Sequence, residues 1–361
     1  METDLTLDLE TALPDLRAQV GQLFVVRPEA LEPAICYAED SELPPYRLQS
    51  VSEGMRRRAA DYPVGGVLLF GHNILDEKQL DRFTKELKAL PGAPLLCIDE
   101  EGGRVSRIAG NPAFDVPVYE SMAAVGASGD PQRAYQAGFS IGSYLHRYGI
   151  EVDFAPVADV NTNPDNIVIG SRAFSDAPAA AAPMVAAFVR GLSEAGIVGC
   201  LKHFPGHGDP RTDPHFSFAS TGKTWAQMLD CEMLTFRAGI AAGAPLVMAA
   251  HIAAPAVTGD DLPATMSPAL LQDKLRGELG FEGLVVTDAL EMHAVSRRFS
   301  NAEAAVRAFL AGADILLCPQ NLQEAFEGVL RAVEDGSIPR GRLERSVRRI
   351  LALKRKMRPQ A

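Results

Sequence analysis

Short apolar runs alternate along this chain with longer stretches in which apolar residues recur every three or four positions. The short runs are VGQLFVV from Val20, GGVLLF from Gly65, PLLCIDE from Pro94, EVDFAPVADV from Glu151, VGCLKHF from Val198, PLVMAAHI from Pro245, GLVVTD from Gly283 and DILLCP from Asp314. They are rich in Val, Ile and Leu and bounded by Gly and Pro, so they read as strands covered on both faces. The longer stretches include DEKQLDRFTKELKAL from Asp76, DPQRAYQAGFSIGSYLHRYG from Asp130, TWAQMLDCEMLTFRAGIAAG from Thr224, SPALLQDKLRGELG from Ser267 and SNAEAAVRAFLAG from Ser300. Several open on Ser, Thr or Asp and close on Gly, which is how capped helices begin and end.

Eight strands with helices between them predict an α/β fold of the (β/α)8 barrel type. A doubly wound open sheet is the alternative, but it usually has fewer strands, and no GxGxxG opens a helix here. The segment from Arg27 to Tyr62 is long for a connection and is expected as an excursion beside the barrel, with one helical piece in SVSEGMRRRAADY. Two further helices, from Asn321 and Arg340, follow the last strand. No repeat or low-complexity linker marks a boundary, so residues 1–361 are expected to form a single barrel domain, with its core over about residues 20–320 and no second C-terminal domain.

Composition narrows the partners. The chain has 47% hydrophobic and 22% charged residues, ordinary for a globular protein with a large core. Its net charge is −11, which argues against nucleic acid or an anionic membrane as partner, since phosphate contacts need basic patches. The basic run near the C-terminus follows a helical pattern and reads as a solvated face. Five cysteines (Cys36, Cys97, Cys200, Cys231 and Cys318) are odd in number and lack the spacing of a zinc site; reduced thiols are expected. The N-terminus METDLTLDLE has no apolar signal-like core, and no run approaches the roughly 20 apolar residues of a membrane helix. The cytoplasm is the expected location.

In such a barrel the chemistry sits at the C-terminal ends of the strands. Asp99 and Glu100 end the third apolar run, Asp159 and Asn161 follow the fourth, Lys202 and His203 end the fifth, His251 the sixth and Asp288 the seventh. A charge there costs free energy unless it is paired or used. After the fifth run, KHFPGHGDPRTDPHFSFAS carries Asp213 and His215 two residues apart. In extended chain these side chains share a side, and a carboxylate beside an imidazole fixes its tautomer and raises its pKa. That pair can shuttle protons. Asp288 can attack an electrophilic carbon. A carboxylate nucleophile and a proton donor are the two parts that glycoside hydrolysis with retention requires. A metal site from His203, His207 and Asp209 is the rival reading, but its spacing is not that of a helical HxxxH face.

IDEEGGRVSR from Ile98, APVADVNTNPDNIVIGSRAF from Ala155, KHFPGHGD from Lys202 and VVTDALEM from Val285 resemble glycoside hydrolase family 3, and the His-bearing loop resembles its NagZ-type β-N-acetylglucosaminidases. The resemblance implies that Asp288 is the nucleophile, His215 the general acid/base and Asp213 its orienting partner. It further implies that Asp99, Arg107, Arg172, Lys202 and His203 bind the sugar, with no metal and no organic cofactor. Glu101 and Arg104 are expected as a structural pair, and His251, Asp159 and Met292 as neighbours of the pocket without chemistry. The sequence departs from the pattern at Pro214, within the dyad, and at Ile167. The implied activity is removal of terminal β-linked N-acetylglucosamine from cell-wall fragments during recycling. A small carbohydrate is thus the expected partner, with a monomer as the expected state. The alternatives are a phosphorylase or a β-glucosidase on the same residues, a metal-dependent amidohydrolase, and an inactive carbohydrate-binding barrel.

Overall fold

Each of the eight apolar runs forms a strand in the computed structural model, which describes residue 13 and residues 15–32, 47–209 and 219–358. The strands are β1 (Phe24–Val26), β2 (Gly66–Leu69), β3 (Leu95–Ile98), β4 (Val152–Asp153), β5 (Val198–Phe204), β6 (Leu246–Ala249), β7 (Leu284–Thr287) and β8 (Leu316–Leu317). Every residue in them is buried, as strands between a filled barrel interior and a helical shell must be. All neighbours pair in parallel, in the order β8-β1-β2-β3-β4-β5-β6-β7. A parallel bridge from Val286 to Ile315 joins the two ends. There the Thr287 N–H donates to the Ile315 carbonyl at 3.0 Å, and the Leu317 N–H to Thr287 Oγ1 at 3.0 Å. The result is a nearly closed barrel, and the open doubly wound sheet is set aside because β8 lies between β1 and β7.

The helices start where the sequence placed their caps. The side chains of Asp76, Asp130, Ser300 and Asn321 accept backbone N–H groups at 2.8, 2.9, 3.2 and 3.1 Å, one turn into helices Glu77–Lys88, Pro131–Arg147, Asn301–Ala311 and Leu322–Glu334. Helices Pro131–Arg147 and Pro178–Glu194 pack closely. A Cβ on Gly191 would stand 2.3 Å from the Tyr135 carbonyl oxygen, so only glycine permits that approach. The stretch from Ser267 winds wider than an α-helix, as a π-helix over Ala269–Glu278.

The stretch from Thr224 differs from the single helix its pattern predicts. It forms two, Trp225–Leu229 and Glu232–Ala241, with the chain turning at Cys231 (φ −130°, ψ −93°). The turn sends the Glu232 side chain inward beneath Gly206, where a Cβ would lie 2.4 Å from Glu232 Cγ. The excursion after β1 contains the 3-10 turn Pro28–Leu31 and helix Glu53–Asp61; residues 33–46, with Cys36, lie outside the described residues.

The final helix, Arg340–Met357, runs along the N-terminal ends of the strands and ties the floor of the barrel. Arg342 and Arg349 approach Asp314 before β8, Lys354 bonds Gln22 before β1, and Arg358 bonds Glu151 before β4. Function is left to the opposite face.

Candidate functional site

At the C-terminal face, the loop after β3 is shaped by one buried carboxylate. Glu100 accepts the N–H groups of Arg107, Ile108 and Ala109 at 2.5, 3.0 and 2.8 Å and the Tyr144 hydroxyl at 2.8 Å. This folds residues 101–109 back over the rim. It brings the Arg107 guanidinium to 3.9 Å from Asp99 and over the ring of Phe70, 5.7 Å from its centroid.

Beside it lies a charge-matched network. Lys202, on β5, reaches Asp99 at 2.7 Å and Glu101 at 2.5 Å. Arg172 grips Glu101 with two bonds of 2.7 Å and anchors its third nitrogen on the Val168 carbonyl. Burial favours neutral Glu101, but Lys202 and Arg172 overcome it and hold its carboxyl down at about 2. Burial likewise opposes the Lys202 ammonium, and Asp99 and Glu101 hold it above the ordinary lysine value.

This corrects the expected Glu101–Arg104 pair. Arg104 instead donates to the carbonyls of Ile167, Val168 and Ile169, bracing the loop after β4. Glu101 points into the barrel mouth, where two cations separated from it by long stretches of sequence are nearer.

Asp159, fully buried in the loop after β4, holds β5's polar end. It accepts from His203 Nδ1 at 2.7 Å and from the backbone N–H groups of His203 and His207. An ionised carboxylate only accepts, so Nδ1 of His203 carries the hydrogen and Nε2 faces the Arg172 guanidinium at 3.5 Å. Burial pushes Asp159 up, and the His203 imidazole outweighs it, leaving the carboxyl below its usual range. Asp159, expected from the sequence as a neighbour of the pocket without chemistry, orients one of the expected sugar-binding residues. The signal was available, since Asp159 follows the strand next to the one that carries His203.

Asp288 ends β7 on the same rim and is only partly buried. Its N–H donates to the Ala249 carbonyl at 2.8 Å, and its Oδ1 accepts the Ala289 N–H at 2.8 Å. Burial works against its charge; His251 and then His203 outweigh this, and the carboxyl stays below its ordinary value. It is therefore ionised at neutral pH. His251 bonds the Ala289 carbonyl through Nε2 at 2.9 Å and Thr265 Oγ1 through Nδ1 at 2.8 Å. Burial lowers its pKa, and its Nε2 carries the hydrogen given to the Ala289 carbonyl, which supports the turn that carries Asp288.

Asp99, Arg107, Arg172, Lys202, His203 and Asp288 thus share one rim. Asp213 and His215 lie outside the described residues. Asp209, the third residue of the rival metal reading with His203 and His207, bonds Thr162, Thr221 and Lys223 instead.

Residues 15–353 match the profile of the glycosyl hydrolase family 3 N terminal domain. The chain belongs to glycoside hydrolase family 3. Among its family relatives, the Beta-hexosaminidase A of Pseudoalteromonas piscicida is 33% identical over 348 residues, covering 89% of this chain and 57% of that protein. The Beta-hexosaminidase of Stenotrophomonas maltophilia (strain R551-3) is 38% identical over 274 residues, 74% of this chain and 80% of the relative. Among solved structures of the family, a β-N-acetylglucosaminidase from Paenibacillus sp. str. FPU-7 superposes with a TM-score of 0.84 at 37% identity, over 95% of this chain and 62% of that one. The chain thus spans 57% and 62% of two of these relatives and most of the third. Among the described residues, no helix is long and apolar enough to cross a membrane.

Proposed function

We propose that this family 3 chain is a retaining exo-β-N-acetylglucosaminidase, acting through a covalent glycosyl-enzyme on Asp288. The single observation that carries the reading is the setting of Asp288. It is an ionised, partly exposed carboxylate with one backbone donor, on the same rim as the matched Asp99–Lys202–Glu101–Arg172 network. The family's β-hexosaminidase relatives support the choice of sugar.

The division of labour follows from the groups. Asp99 accepts hydrogen bonds from sugar hydroxyls while Lys202, Arg107, Arg172 and His203 donate to, or orient, the remaining oxygens and the acetamido group. Asp288 attacks the anomeric carbon as the bond to the leaving oxygen breaks. Protonated His215, oriented by Asp213, gives that oxygen its proton. Neutral His215 then removes a proton from water, whose oxygen attacks the same carbon and releases Asp288. Acid first and base second is the order that retention demands. The proposed substrate is a cell-wall fragment ending in β-linked N-acetylglucosamine, handled in the cytoplasm by a monomeric single barrel domain.

The test compares wild type, Asp288→Ala and His215→Ala on aryl β-N-acetylglucosaminides with acidic and weakly acidic phenols. Asp288→Ala is expected to lose on the order of 10⁴-fold in kcat with both. His215→Ala should lose far less with the acidic phenol, which departs without a proton. Full activity in Asp288→Ala would overturn the nucleophile, and equal losses on both phenols in His215→Ala would overturn the proton donor.

A further inference from the structure

Lys223 makes no contact with the site described above, yet it joins four parts of the chain. Its ammonium lies 2.5 Å from Glu232 Oε1, 3.4 Å from Asp209 Oδ1, 3.5 Å from Thr162 Oγ1 and 3.9 Å from the Cys231 sulfur. Asp209 is held from two further sides, by Thr221 Oγ1 at 3.0 Å and Thr162 Oγ1 at 3.4 Å. Thr221 is fixed in turn by its N–H on the Ala253 carbonyl at 3.0 Å, where Ala219–Ser220 pairs with Ile252–Ala253.

The place of this cluster in the chain gives it meaning. Asp209 is the last described residue before Pro210, and Thr221 and Lys223 follow closely after the segment resumes at Ala219. The segment between carries Asp213 and His215. Lys223 itself stands just beyond the far end of this segment, and its ammonium bonds the residue that leads into it. Its other anchor, Glu232, is buried, with Oε2 lacking a partner among the described residues. Glu232 is wedged under Gly206 of the PGHG turn, where only a residue without a side chain fits. The broken helix after Thr224 is what delivers Glu232 to this point.

We infer that Lys223, clasped between Asp209 and Glu232, is a positioning residue that fixes the two ends of the His215-bearing segment relative to β5. The inference rests on the proposed role of His215. Burial opposes the Lys223 charge, but Glu232 and then Asp209 hold its pKa above the ordinary value, so the clasp stays closed across the neutral range. An ion pair that shuts out its own second oxygen is a poor source of stability compared with an apolar pair of the same volume. Fixing the geometry of a proton donor is what such a pair does well, because a displacement of about 1 Å can cost about 10²-fold in rate.

The test measures kcat and KM for Lys223→Met, Lys223→Arg and Thr221→Val on the same two classes of aryl glycoside, with melting temperatures alongside. Lys223→Met is expected to lose about 10²-fold in kcat on the weakly acidic phenol and less than about 10-fold on the acidic one, with KM little changed. Lys223→Arg should recover most of the loss. Thr221→Val, which leaves the Lys223–Glu232 pair intact, should show the same leaving-group bias to a smaller degree, and it serves if Lys223→Met does not fold. The double variant Lys223→Met/His215→Ala should be no slower than His215→Ala, because residues acting through one group are not additive. Equal losses on both phenols, or additive losses in the double variant, would overturn the inference. A His215→Ala variant without leaving-group bias would instead overturn the proposed proton donor, so the two failures are distinguishable.

Discussion

The two ends of this barrel use carboxylates in opposite ways. On the floor, buried Asp314 accepts from Arg276 at 2.7 Å, from the Val285 N–H at 3.0 Å and from the Ser346 hydroxyl, with Arg349 and Arg342 at 3.5 and 3.6 Å. Glu151 is similarly saturated by two bonds from Arg358, one from the Leu96 N–H and Lys88 at 3.5 Å. At the mouth, Asp288 has one backbone donor and forms no ion pair among the described residues. A carboxylate whose lone pairs are all occupied can hold helices to strands but has nothing left for a substrate. One that keeps an oxygen free contributes little to the fold and is available for chemistry. Asp99 stands between these cases. Lys202 takes one oxygen at 2.7 Å, while the other has Arg107 only at 3.9 Å, leaving room for a hydroxyl.

The largest expected effects come from removing one carboxylate at each end. Asp314→Ala strands three guanidiniums beside each other in a buried floor and should cost about 3–5 kcal/mol in chemical denaturation. Activity of the protein that remains folded should be unchanged. Asp288→Ala should leave stability within about 0.5 kcal/mol of wild type, since the partly exposed carboxylate makes one backbone hydrogen bond and no ion pair among the described residues. The same change abolishes turnover under the proposed mechanism. A loss of stability in Asp288→Ala equal to that in Asp314→Ala would erase the distinction between the two ends.

A second effect lies within the mouth and follows from Glu101. Its carboxyl sits at about 2 in the folded protein against an ordinary value of 4.5, because Lys202 and Arg172 outweigh the burial that would raise it. The unfolded chain therefore binds the proton first as pH falls. The stabilisation is fully present above about pH 4.5 and is lost as pH drops from there towards about 2, a span worth about 3 kcal/mol. Glu101→Gln should flatten this part of the acid limb, measured by urea denaturation at about pH 6 and about pH 3. A variant that kept the full acid dependence would show that the network draws its stability elsewhere.

Much of this arrangement was legible in the sequence because it is local. Eight apolar runs became eight strands, since a strand covered on both faces needs only its own composition to announce itself. Asp76, Asp130, Ser300 and Asn321 acted as caps because a cap involves residues within one turn. The rim residues Asp99, Lys202, His203 and Asp288 were found from their position at strand ends. The rest depended on which distant parts meet. Glu101 was paired with Arg104 by nearness in sequence, whereas its partners are Arg172 and Lys202, brought across the mouth by barrel closure. The turn at Cys231 was hidden because the apolar spacing from Thr224 continues through it. Only the fit of Glu232 against Gly206 and Lys223 explains the break.

The smallest effect sharpens the floor's side of the comparison. Lys354, on the last helix, is buried and donates to Gln22 Oε1 at 2.6 Å and to the Gly92 carbonyl at 2.9 Å. Those are two neutral acceptors, and a neutral amine has two hydrogens to match them. Burial first, and the nearby Arg358 second, lower its pKa to about 7 from 10.5. Above about pH 7 the folded protein therefore holds this amine neutral while the unfolded chain still binds the proton. Stability should rise with pH there, by up to about 1.4 kcal/mol per pH unit for this one group. Measured between about pH 7.5 and about pH 8.5, wild type should show that gain, and Lys354→Met should lack it while keeping the proposed glycosidase turnover. A slope that survives in Lys354→Met would assign the effect to another group. A loss of turnover with stability intact would mean that the floor reaches the chemistry after all, and the separation between the two ends would fail.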